Sequence, residues 1–212
     1  MRMLSLLTAL MLGTAANAHP HVFVDVRGSF VLDSQKRLEA IRIHWLYDPF
    51  TTLMVTETLG LDPDGDGQLD DADLQTLIEG ETDWAPEYEG DTYLYIDGTK
   101  VALSRPHDAW AEAPGDQVGV GFTLTLDEPV EMAGRTATMK LYDPSYYYAY
   151  SVTAQSKVEG PAEACDFEII PFDPDDAAEQ LLSRLSALSR EEFPDDPEVG
   201  AQLAETLTLS CP

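Results

Sequence analysis

The sequence predicts an α+β fold: a mainly antiparallel β domain with a helical insertion and a C-terminal helix. Three observations carry this. Apolar and polar residues alternate in short runs from His21 onward, two stretches of helical spacing flank an acidic segment near its middle third, and a leucine-rich stretch at helical spacing precedes the end.

The elements follow in order. His21 to Val31 sets Val22, Val24 and Val26 against His21, Phe23 and Asp25, and Leu38 to Tyr47 puts Ile41, Ile43, Trp45 and Tyr47 on one face. Asp33-Ser34-Gln35-Lys36 lies between these two strands and makes a hairpin the economical connection. Asp48-Pro49 ends the second strand, and short helices are expected over Phe50 to Leu59 and Asp71 to Glu79, the second carrying Leu74, Leu77 and Ile78 at helical spacing. Strand periodicity then returns over Thr92 to Ile96, Lys100 to Leu103, Val118 to Leu126, Thr136 to Tyr142, Tyr147 to Ala154 and Asp166 to Ile170, with turn residues at Asp97-Gly98, Ala133-Gly134 and Asp143-Pro144-Ser145. Asp173-Pro174-Asp175-Asp176 supplies a cap, a proline and acidic charge for a helix of roughly four turns that ends before Pro194. Leu203 to Cys211 alternates into a last strand whose cysteine faces inward.

The first eighteen residues combine Arg2, an apolar run from Met3 to Leu12 and the small-residue ending Ala16-Asn17-Ala18. This is the pattern of a secretory signal peptide cleaved after Ala18, which places residues 19–212 in the periplasm as a single domain. Nothing beyond Ala18 approaches the roughly twenty apolar residues that a spanning helix requires, so no direct membrane insertion is expected. Asp and Glu number 39 against 12 Lys and Arg, a formal charge of −27. That balance repels phosphate backbones and anionic lipid, so nucleic acid is excluded as a partner and cations are favoured. The two cysteines, Cys165 and Cys211, pair in an oxidising compartment. Closing a loop of about 46 residues contributes roughly 4 kcal/mol in the chain-entropy account.

The acidic segment Asp62-Pro63-Asp64-Gly65-Asp66-Gly67-Gln68-Leu69-Asp70-Asp71-Ala72-Asp73 fits a twelve-residue EF-hand-type calcium loop, making residues 50–80 a calcium-loop insertion. Calcium is a hard cation that takes six to eight oxygens. Asp62, Asp64 and Asp66 offer carboxylates at positions 1, 3 and 5, Gln68 a carbonyl at 7, Asp70 a carboxylate at 9 and Asp73 one at 12. Gly67 falls at position 6, where the chain turns through a conformation that glycine adopts cheaply. Asp73 replaces the usual glutamate, and its shorter arm is expected to reach as one ligand and weaken calcium or admit magnesium.

Cleavage after Ala18 would leave His19-Pro20-His21 with a free α-amino group. On an extended segment His19 and His21 share a side, where imidazole nitrogens and the amine suit nickel, cobalt, zinc or copper. Pro20 lacks an amide hydrogen and excludes a square-planar copper site built from successive deprotonated amides. His44 is expected on the exposed face of its strand and His107 in a loop, from which it could complete a site.

His19-Pro20-His21-Val22, Trp45-Leu46-Tyr47-Asp48, the acidic loop, Tyr142-Asp143-Pro144-Ser145-Tyr146-Tyr147 and a closing strand with Cys211 occur in one order. Together they resemble the bacterial periplasmic domain-of-unknown-function 1007 family, labelled the periplasmic component of an uncharacterised ABC-type transport system. The resemblance implies a partner of a nickel/cobalt-type membrane transporter: a metal-binding accessory that captures or delivers a divalent transition metal through His19 and His21, with no established catalytic residues to carry over; the loop itself adds calcium as a structural ion. An N-terminal-histidine copper monooxygenase and a calcium-stabilised interaction module without a transition metal are the alternatives.

Overall fold

The computed structural model describes residues 20–189 and 192–212. The leader segment and His19 therefore lie outside the described residues.

The chain opens with the expected hairpin, β1 (Val22–Leu32) and β2 (Arg37–Tyr47), paired antiparallel from Val24 against Tyr47. Asp33 builds the turn by accepting the amides of Gln35 and Arg37 at 2.8 and 2.9 Å. Asp48 then caps α1 (Pro49–Leu59), accepting the amides of Phe50 and Thr51, with Pro49 where its missing N–H costs nothing. Gly60 ends that helix in the left-handed conformation, and the acidic segment leads into α2 (Asp71–Thr82), one turn longer than its leucine spacing suggests.

Two sheets follow. The first has the order β5 (His107–Glu112), β6 (Gly119–Glu131), β2, β1 and β8 (Tyr148–Val152), with β9 (Lys157–Glu159) also on β1. The second runs β10 (Asp166–Ile170), β11 (Thr206–Cys211), β7 (Arg135–Leu141), β3 (Thr92–Ile96) and β4 (Thr99–Val101). Alternate residues of both meet in one apolar core: Val26, Phe30, Ile41, Ile43 and Phe122 from the first, Leu94, Met139 and Leu207 from the second. The sheets approach closely at Gly28, where a Cβ would stand 2.9 Å from Met139. The Cys165–Cys211 disulfide forms as expected, tying the start of β10 to the end of β11.

The mixed α+β class and the antiparallel majority stand, with three corrections. β8 and β9 pair with β1 in parallel, a relation that alternation along single strands cannot disclose. His107, expected in a loop, begins β5; the strand is masked in the sequence by Pro106, by Asp108 at φ 49° and by a bulge between His107 and Trp110. The C-terminal helix α3 (Asp176–Ser186) is capped by Asp175 and ends before Pro194 as expected, but its 11 residues make about three turns where roughly four were expected.

Candidate functional site

Two acidic regions lie at opposite ends of α2. At its N-terminal end, Asp62 takes φ 55° and folds the loop around its own carboxylate, which accepts the amides of Asp66 and Gly67 at 3.0 Å each. Gly67 turns at φ 79°, as position 6 requires. Asp66 accepts the Gln68 amide at 2.8 Å and its side-chain amide at 3.3 Å. The result brings one carboxylate oxygen each from Asp62, Asp64 and Asp66 within 4.8 Å of one another. Leu69 packs on the main core and anchors the loop.

Asp70 and Asp73 stand outside this trio and do different work. Asp70 is the N-cap of α2, accepting the amides of Ala72 and Asp73 at 2.7 and 3.0 Å. Asp73, only 8% exposed, accepts the amides of Asp62 at 3.1 Å and Asp70 at 3.0 Å, so each of its oxygens already has a donor. The short arm that the sequence offers as a ligand also reaches back to close a capping box.

The three histidines among the described residues do not converge. His21 is half-buried, its backbone amide donating to the Tyr147 carbonyl at 2.9 Å and its ring 4.6 Å from that of Tyr147. It borders a cavity of about 420 Å³ with Phe50, Leu53, Met54 and Glu57. His44 is not exposed as expected: β5 covers it, leaving 7% accessible, stacked on Trp110 at 4.9 Å with Nε2 3.0 Å from Glu112. Gly121 permits this cover, since a Cβ there would lie 2.3 Å from the Trp110 ring. Burial, then the nearby Arg27 charge, lower the His44 pKa. His107 is held 2.9 Å from Asp108 on the edge strand farthest from β8 in sheet order, and so does not complete a site with His21.

At the other end of α2 lies a cavity of about 580 Å³ that motif reasoning missed. Its floor follows from sheet register: Val24 pairs with Tyr47 on one side and Tyr150 on the other, so these side chains share one face. Trp45, Trp84, Tyr88 and Tyr148 complete the aromatic wall. Four carboxylates line it, Glu81, Asp83, Asp91 and Asp143. Tyr47 donates to Glu81 at 2.5 Å and Tyr150 to Asp91 at 2.7 Å. Asp143 accepts the amides of Ser145, Tyr147 and Tyr148 at 3.0, 2.7 and 3.1 Å, which sets the start of β8. Burial raises the pKa of Glu81 and pushes Asp91 up to about 7, and burial likewise raises the Tyr47 and Tyr150 phenols.

A sequence model of the family described as "Protein of unknown function (DUF1007)" matches residues 4–211. The chain belongs to this family. It is also similar to an uncharacterised protein of Haemophilus influenzae, 24% identical over 215 residues that span the whole of both chains. No helix among the described residues is long and apolar enough to cross a membrane.

Proposed function

We propose that this DUF1007 protein is a periplasmic metal-binding accessory protein whose loop from Asp62 to Asp73 holds one structural calcium ion in an EF-hand-type arrangement. The observation that carries the calcium reading is the convergence of Asp62, Asp64 and Asp66 within 4.8 Å, on a loop whose backbone turns are already set. Hard oxygen donors at this spacing suit calcium, and a loop without a long bidentate glutamate suits the weak, high-concentration regime of extracytoplasmic calcium. The ion would bind the folded state alone and stabilise it by mass action. Calcium at about a hundred times its dissociation constant should add roughly 2.7 kcal/mol, read as a rise in melting temperature. Asp62→Ala with Asp66→Ala should remove the rise; an unchanged calcium response in that double variant would refute the site.

The transition-metal part of the proposal, capture or delivery of nickel, cobalt, zinc or copper for a membrane transporter, is favoured by one observation. His21 shares its cavity with the Met54 thioether and the Glu57 carboxylate, a mixed donor set of imidazole, sulfur and oxygen. With a mature N-terminus at His19, the α-amino group adds a donor that deprotonates near neutral pH. Titration of each metal into authentic, N-terminally extended and His21→Ala proteins should show affinity reduced about tenfold or more by either change, and falling as pH drops through about 6.5. Equal affinity in all three proteins would remove His21 and the terminus from the site.

A further inference from the structure

The geometry points to the cavity at the C-terminal end of α2 as a binding site for a small organic ammonium compound that carries a hydroxyl or carbonyl oxygen near its nitrogen. The volume of about 580 Å³ is that of a small-molecule site. Its lining among the described residues is one-sided in charge: Glu81, Asp83, Asp91 and Asp143 contribute carboxylates, and none of these described lining residues is a lysine, arginine or histidine. Asp91 is only 5% exposed and has no cationic partner among the described residues, and a carboxylate so withdrawn from water is costly in the empty protein. A cation entering the cavity offsets that cost.

The arrangement selects the kind of cation. Among the described residues, the one group of three His, Cys, Asp or Glu donors close enough to hold a bare metal ion is Asp62, Asp64 and Asp66, so the cavity carboxylates are spread around a volume and do not converge on a point. Spread carboxylates fit an ion whose charge is carried on a larger body. The aromatic wall fits the same ion, because ring faces attract ammonium groups and do so more strongly when water is excluded. The phenols of Tyr47 and Tyr150 each donate to a carboxylate and hold it in place, and each carboxylate keeps lone pairs for a ligand N–H.

A second, independent observation concerns Trp45. It lines the cavity, is 3% exposed, and its buried indole Nε1–H has no acceptor among the described residues. A buried donor left unpaired is rare and calls for an acceptor. An oxygen on the ligand supplies it.

The test is calorimetric titration at pH 8, where Asp91 is ionised, with choline, ethanolamine and 3,3-dimethylbutan-1-ol, the neutral carbon isostere of choline. Millimolar calcium is present throughout, so the result does not depend on whether the loop at the other end of α2 is filled. Saturable binding of choline or ethanolamine at least tenfold tighter than the isostere is expected. Asp91→Asn and Glu81→Gln each keep one acceptor oxygen and the shape while removing charge, and each should weaken binding at least tenfold with the far-ultraviolet dichroism unchanged. Failure of both ammonium compounds to bind more tightly than the isostere overturns the proposal, as does undiminished affinity in the folded variants.

Discussion

The two acidic regions at the ends of α2 use the same side chains in opposite ways. In the loop, Asp64 and Asp66 are exposed, and the loop carboxylates accept backbone amides from the same turn. In the cavity, Glu81 and Asp91 each accept a phenol hydroxyl and stand among aromatic side chains. Convergence in water suits a small hard ion; separation beside aromatic rings suits an ion whose charge is carried on a larger body. Counting carboxylates along the sequence does not distinguish these cases, because solvation and spacing decide the chemistry.

The largest expected effect sharpens the burial half of this comparison. A carboxyl whose folded pKa lies above its unfolded value binds more protons when folded. For Asp91 the resulting penalty is absent below about pH 3.8, grows as the pH rises toward 7 and is constant above that. Asp91→Asn, free of organic cations, should therefore be more stable than the parent by up to about 4 kcal/mol at pH 8, with the gain vanishing below pH 4. Asparagine also tolerates the φ of 49° at this position. A gain that is independent of pH would show that the charge is not the source.

A smaller effect separates the two roles at the loop's last position. Asp73→Ala removes the side chain that accepts the Asp62 and Asp70 amides, and should lower stability by about 1–2 kcal/mol in chelator, where no ion contributes. Urea denaturation of the stripped protein measures it. No loss in chelator, with a loss appearing when calcium is added, would make Asp73 a ligand alone and not a cap.

How much of this was legible in the sequence depended on range. Thr92 to Ile96 and Asp166 to Ile170 were placed to the residue, since each is a short alternating run between turn signals. The acidic loop was legible because all its parts lie within twelve consecutive residues. The cavity was not, because it joins Trp45 from β2, Glu81 from α2, Asp91, Asp143 and Tyr150 from β8, and only the sheet register beside Val24 brings Tyr47 and Tyr150 together. His44 failed for the same reason. Its position opposite Ile43 and Trp45 suggested exposure, but the covering strand β5 is concealed by a proline and a bulge. Local pattern shows which face of a strand a residue takes, not what the rest of the chain lays over it.

Calorimetric titration of calcium into chelator-stripped protein tests the central claim most directly, because it asks which of the two acidic regions holds the ion. One calcium per chain is predicted, lost in the Asp62→Ala, Asp66→Ala double variant and retained with unchanged stoichiometry in Asp91→Asn and Glu81→Gln. Retention of the ion in the double variant, or its loss when the cavity carboxylates alone are neutralised, would contradict the account.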